Sequence, residues 1–154
     1  MKKSTEQAVF VLLMLALQKN HTPVRSHTLA EVLDVSDSYL KKVLKTMVNT
    51  ELIRALPGRE GGFTLARPIQ TISYGDVFQA LEGIEAPQAT IELARAVYDP
   101  SDHLEKSISA VQLAYERAST AFLEQLNSLP LSHLLLQEAG AEGLIDWQAQ
   151  VIRS

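Results

Sequence analysis

Ser36-Asp37-Ser38-Tyr39-Leu40-Lys41-Lys42-Val43-Leu44-Lys45 has two faces. Leu40, Val43 and Leu44, with Met47 further on, recur at helical spacing, and Lys41, Lys42 and Lys45 fall on another side. Ser36 suits the N-cap of this helix, and Asp37 suits its first turn, where a carboxylate meets the positive end of the helix dipole. Asp34-Val35-Ser36-Asp37 reads as a tight turn. Before it, Leu29, Val32 and Leu33 give an apolar face to a short helix starting near Ser26 or Thr28, with Thr28 and Glu31 spaced for a capping box. After the basic helix, Leu52-Ile53-Arg54-Ala55-Leu56 reads as a strand. Pro57-Gly58-Arg59-Glu60-Gly61-Gly62 then reads as a turn, and Phe63-Thr64-Leu65-Ala66 as the return strand.

Toward the N-terminus, Lys2 and Lys3 precede ten consecutive apolar residues, Ala8 to Leu17. The pattern imitates a signal peptide, but Ser4-Thr5-Glu6-Gln7 separates the lysines from the apolar run and no small-residue cleavage site follows. The run is also shorter than the ~20 residues a membrane span needs. It predicts a first helix, capped by Ser4 or Thr5, reaching about Lys19 and largely buried. Toward the C-terminus, Ser73 caps a helix that turns Val77, Phe78 and Leu81 inward, and Gly83 closes it. Residues 84–90 read as a linker and Ile91 to Tyr98 as a short helical piece. Asp99-Pro100-Ser101-Asp102 predicts a helix start, with Asp99 as cap and proline at the first position. The helix runs to about Asn127. On it Leu104, Ile108, Val111, Tyr115, Ala118 and Phe122 alternate in steps of four and three, a coiled-coil-like seam. That seam packs either against a second copy or inside the same chain. Pro130 ends the region, Leu134-Leu135-Leu136 adds an apolar stretch, Gly140 and Gly143 break the remainder, and Trp147 reads as packing for the tail.

The 154 residues carry a formal charge of −4, which is unevenly spread. Residues 1–75 hold ten Lys/Arg against six Asp/Glu, and residues 76–154 hold four against twelve. A basic front that meets a polyanion and an acidic back fit this division. There is no cysteine, which excludes disulfides, zinc–thiolate sites and thiolate-held iron–sulfur clusters. His21, His27, His103 and His133 lack ligand spacing, and no nucleophile–base pattern, P-loop or dinucleotide fingerprint appears. The reading is therefore not an enzyme, with no cofactor and no metal.

A basic helix fits the major groove, and a hairpin beside it can carry an arginine to a neighbouring groove. On that geometry Lys41, Lys42 and Lys45 meet bases or phosphates, and Arg59 at the hairpin tip reaches the adjacent groove. Ser36 and Ser38 offer hydroxyls and a helix N-terminus to a phosphate. Tyr39 either belongs to the motif's core or brings its hydroxyl to the backbone.

Three stretches together resemble the bacterial winged-helix regulators that include IscR, NsrR and CymR, the Rrf2 family. Ser38-Tyr39-Leu40-Lys41-Lys42-Val43-Leu44 is similar to the family's recognition helix. Gly58-Arg59-Glu60-Gly61-Gly62-Phe63-Thr64-Leu65-Ala66-Arg67 is similar to its wing, and Ile72-Ser73-Tyr74-Gly75-Asp76-Val77-Phe78-Gln79-Ala80-Leu81-Glu82-Gly83 to the helix after the wing. The likeness is close through residue 83, and beyond that only the layout agrees. It departs in one respect: many relatives carry three cysteines after the position of Gly83, and Glu6 stands where some place a carboxylate ligand. Without thiolates, Glu6 reads as a solvated helix-start residue. Ile91, Leu93, Val97 and Tyr98 occupy the segment that replaces the cysteine loop. They either form an effector pocket or simply pack the joint.

The expected architecture is mainly α with a small β-hairpin wing. It comprises a winged helix-turn-helix over 1–83, a linker over 84–98, a dimerisation helix over 99–128 and a tail over 129–154. The expected function is a cytoplasmic, homodimeric, sequence-specific DNA-binding regulator, a repressor, without an iron–sulfur cluster. Its partners are a double-stranded DNA operator, a second copy and an unidentified small effector, with no membrane. The alternative is a winged-helix module that binds proteins.

Overall fold

The structure, a computed structural model, describes residues 2–84, 88–135 and 143–151. Helix α1 (Lys3–Leu17) carries the apolar run and lies at the centre. Helices α2 (Ser26–Val32) and α3 (Asp37–Asn49) pack on one another, joined by a turn that puts Asp34 at φ 51°. Strands β1 (Ile53–Leu56) and β2 (Gly62–Leu65) pair antiparallel, Ile53 opposite Leu65 and Leu56 opposite Gly62. Helix α4 (Tyr74–Leu81) returns to α1, α5 (Gln88–Val97) packs on α6 (Asp102–Asn127), and α7 (Trp147–Val151) lies on α2. The fold is thus mainly helical, with a small hairpin wing and one long C-terminal helix, as the sequence predicts. Among the described residues no helix is long and apolar enough to cross a membrane. Leu136 and Gly140 lie outside the described residues.

Leu12 of α1, Leu29 of α2, Leu40, Leu44 and Met47 of α3 and Ile53 of β1 are all buried in one core. Each such side chain contributes ~1.5–3 kcal/mol on leaving water. The wing is fastened to this core by an isolated antiparallel bridge at Val24. Val24 donates its N–H to the Phe63 carbonyl at 3.0 Å, and Phe63 returns the bond to Val24 at 2.8 Å. Gly62 permits this approach, because a Cβ there would sit 2.6 Å from the Val24 oxygen.

Helix α4 begins as expected. The Ser73 hydroxyl accepts the Asp76 N–H at 3.0 Å, and the Asp76 carboxylate accepts the Ser73 N–H at 2.8 Å. Burial alone would raise the Asp76 pKa, but Ser73 and the Arg67 guanidinium, 2.9 Å away, hold it below its ordinary value. Three other helix starts differ from expectation. Helix α5 opens at Gln88, inside the stretch 84–90 expected as linker, whereas α2 opens at Ser26, one of its two expected starts, with Thr28 buried one turn in and capping nothing. Ser101, not Asp99, caps α6 by accepting the Leu104 N–H at 3.1 Å, which leaves Pro100 outside the helix. Neither Ser4 nor Thr5 caps α1, which starts at Lys3 with no cap of its own.

The α1 cap comes from α4. The Glu82 carboxylate accepts the Thr5 hydroxyl at 2.6 Å and the Lys2 N–H at 2.7 Å. These bonds, the Thr5 one foremost, hold the Glu82 pKa below its usual value. A depressed carboxylate pKa stabilises the fold above the unfolded-state value, and that stability is lost as pH falls through the folded-state value. Glu82→Gln is therefore expected to lower the melting temperature near neutrality. The gap from the unsubstituted chain should close as the pH drops through and below the ordinary glutamate range, as thermal melts across pH will show.

Candidate nucleic-acid interface

Helix α3 turns Leu40, Val43, Leu44 and Met47 into the core and leaves Ser38, Tyr39, Lys41, Lys42 and Lys45 exposed. Tyr39 is thus on the solvent side rather than in the core. The three lysines are not equivalent. Lys41 pairs with Asp37 at 2.7 Å, one turn earlier on the same helix. That ammonium, first of all, keeps the Asp37 pKa below its ordinary value, with Ser26 and His27 adding to the effect. Lys42 and Lys45 form no ion pair among the described residues. Ser36 stands at the N-cap position, but its hydroxyl lies 2.9 Å from that of Ser38 and makes no capping bond. Two hydroxyls therefore sit together at the positive end of α3.

The wing turn is held against the start of α2. Arg25 donates from its guanidinium to the Arg59 carbonyl at 2.8 Å, so the Arg59 side chain, itself exposed, projects from a fixed backbone. Ser26 and His27, which follow Arg25, lie near Asp37 at the start of α3. The structure therefore gathers the wing turn, the α2 start and the first turn of α3 into one neighbourhood. Arg25 was missed by the sequence reading. Its role depends on a contact with the wing turn 34 residues later, although a basic residue directly ahead of a helix was visible.

On α6 the seam divides. Ile108 is 6% exposed and faces Ile91 of α5, whereas Val111, Tyr115 and Phe122 are 47%, 39% and 47% exposed and Ala118 is open. Leu104 is half-buried. Phe122 also meets Phe78 of α4 edge to face, ring centres 5.2 Å apart. Between α5 and α6 runs a groove of about 610 Å³, walled by Ile91, Ala94, Tyr98, Leu104, Ile108 and Val111. The structure thus brings Ile91 and Tyr98 to one groove. Leu93 and Val97, at 65% and 70% exposed, do not line it.

Residues 1–137 match the Rrf2 family, described as iron-dependent transcriptional regulators. YwgB of Bacillus subtilis (strain 168), a candidate HTH-type transcriptional regulator, is 40% identical over 103 residues, which cover 67% of this chain and 66% of YwgB. YffB of Lactococcus lactis subsp. lactis (strain IL1403), a candidate of the same type, is 47% identical over 78 residues, covering 51% of this chain and 50% of YffB. The chain thus spans about half to two thirds of these relatives' length. The structure of CymR, the global cysteine regulator of B. subtilis, shares the fold with a TM-score of 0.61 at 21% identity, covering 87% of this chain and 94% of CymR.

Iron is the group such a likeness implies, and the residues do not fit a thiolate-held cluster. The chain has no cysteine, and among the described residues no three His, Asp or Glu side chains gather as ligands. The groove beside α5 offers His103 and Asp99 but no soft donor. Two glycines of the wing are packed too closely for a side chain: a Cβ on Gly61 would overlap the Leu56 carbonyl oxygen, and one on Gly62 would sit 2.6 Å from that of Val24. Gly62→Ala is expected to cost ~1–3 kcal/mol from the forced contact with Val24. Hydrogen exchange should show the Phe63 amide losing protection while amides of α3 keep theirs.

Proposed function

The chain belongs to the Rrf2 family of winged-helix transcriptional regulators, and on that premise we propose that it is a sequence-specific DNA-binding repressor, acting in the cytoplasm as a homodimer without an iron–sulfur cluster. The observation that carries this reading is the exposed, unpaired pair Lys42 and Lys45 on a helix whose first turn shares a neighbourhood with the wing turn. Helix α3 enters the major groove. Lys42 and Lys45 meet phosphates, Lys41 and Tyr39 face base edges or backbone, and Ser36 and Ser38 present hydroxyls and the helix dipole to a phosphate. Arg59 reaches the adjacent groove from the wing.

The dimer forms through α6. Val111, Tyr115, Ala118 and Phe122 make an apolar stripe that stays largely exposed among the described residues, and a symmetric copy of the same stripe buries it. Ile108 supports the stripe from beneath by fixing α5 on α6. Val111→Asp with Tyr115→Asp should yield monomers in sedimentation and abolish tight DNA binding. A dimer that survives both changes would remove α6 from the interface.

The DNA contacts can be read with two duplexes: one enriched by the unsubstituted chain from a random-sequence pool, and one of random sequence. Lys42→Ala should weaken binding to both and flatten the dependence of log affinity on log salt by ~1 unit. Arg59→Ala should act mainly on the enriched duplex. Salt-independent binding, with neither variant affected, would turn the reading toward a protein-binding module.

A further inference from the structure

We propose that the C-terminal segment 143–151 is a strap that positions the wing, with Gln148 as the positioning residue. The inference rests on the reading of Arg59 as a DNA contact, and it goes beyond that reading by naming what holds the wing in place.

The strap is docked by specific bonds. Leu144 and Ile145 both donate their N–H groups to the Leu17 carbonyl, at 2.9 and 3.0 Å, and Lys19 donates to the Ile145 carbonyl at 2.8 Å. The Trp147 indole donates to the Met14 carbonyl at 2.8 Å. Three of these bonds reach carbonyls in the C-terminal turn of α1, which have no partner within the helix, and the fourth takes up the Lys19 N–H just beyond it. Gly143 fits the entry, since it holds φ +67° and a Cβ there would overlap the Gln18 carbonyl. Gln18 is itself buried; its amide donates to the Thr22 hydroxyl at 2.9 Å, and its oxygen accepts the Trp147 N–H at 3.3 Å.

From the strap a short run of bonds leads to the wing. Gln148 donates its side-chain amide to the Pro23 carbonyl at 2.9 Å. Proline has no N–H, so that carbonyl is the backbone hydrogen-bonding group Pro23 can offer. The next residue, Val24, exchanges two hydrogen bonds with Phe63 of β2. The one after, Arg25, holds the Arg59 carbonyl at the wing turn. Three consecutive residues thus take one hydrogen bond from the strap and share three with the wing. Gln148 lies on a short surface helix, yet its bond holds the residue next to the bridge on which the wing is docked.

The test uses the full chain with Gln148→Ala and Gln148→Glu, the second keeping the shape and losing the donor. Each is made alone and together with Arg59→Ala, and binding is read by fluorescence anisotropy on the enriched and random duplexes. Either Gln148 variant should weaken binding to the enriched duplex ~3- to 10-fold, the loss of one hydrogen bond of ordinary net strength. Neither should add a loss in the Arg59→Ala background or change random-duplex binding or dimerisation. In the same variants the Phe63 amide should exchange faster with solvent. Equal losses in both backgrounds, or no loss with Phe63 protection unchanged, would overturn the strap. If Arg59→Ala alone is silent while Phe63 protection falls in the Gln148 variants, the strap stands and the wing contact fails.

Discussion

Ten apolar residues in a row, Ala8 to Leu17, leave α1 no single face to bury, so cover must arrive from several directions. Helix α3 supplies it on one side with Leu40 and Leu44, and α4 on another with Val77. After α6 the chain doubles back, and Leu131 enters the same core fully buried. Trp147 then closes over the C-terminal end of the helix. Phe10, half-exposed, marks the side that the described residues leave least covered. The element with the least amphipathic sequence thus dictates the path of the rest, including the return of residues remote in sequence.

The parts of this architecture that could be read in advance are those with local causes. The recognition helix shows itself because four core positions recur at helical spacing while three lysines do not join them. The wing shows itself through turn chemistry, and α4 through a capping box made of its own residues, Ser73 and Asp76. The misread parts have distant causes. The cap of α1 is Glu82, many residues away, so Ser4 and Thr5 looked like the only candidates. The docking of the wing on Val24 is an isolated bridge to Phe63, which no local pattern reports. The seam of α6 was legible as a period, but a period does not name the neighbour, and α5 takes Ile108 for itself. The tail was legible only as the presence of a tryptophan, since its docking relies on single polar bonds to main-chain carbonyls.

Helix α6 is joined to the DNA-facing unit at one end and to α5 at the other. At the α4 end the Ser73 hydroxyl donates to the Asn127 side chain at 2.9 Å, Tyr74 donates its N–H to the Leu129 carbonyl at 2.9 Å, and Phe78 meets Phe122. Backbone, side-chain and aromatic contacts at one junction resist rotation about any single bond. At the other end Arg95 of α5 pairs with Glu105 at 3.1 Å, an exposed contact of small energetic weight. The α4 junction is thus tied by more directed contacts, while the α5 junction rests chiefly on the buried packing of Ile91 and Ile108.

The pairing of Lys41 with Asp37 bears on how a DNA-directed protein spends its time off target. A free lysine that settles on a phosphate displaces a condensed cation, and the entropy of that release drives adhesion to any sequence. On the proposed DNA-binding reading, Lys41 is partly occupied by its exposed pairing with Asp37, one turn earlier, and adds less to such adhesion than Lys42 or Lys45. It adds attraction chiefly where a base edge or phosphate is placed well enough to draw the ammonium away from the carboxylate. Among the vast excess of wrong sites in a chromosome, a surface with fewer free cations than its composition suggests stays longer in solution and samples more sequence per unit time. On that reading Asp37 lowers the background against which a correct site is recognised.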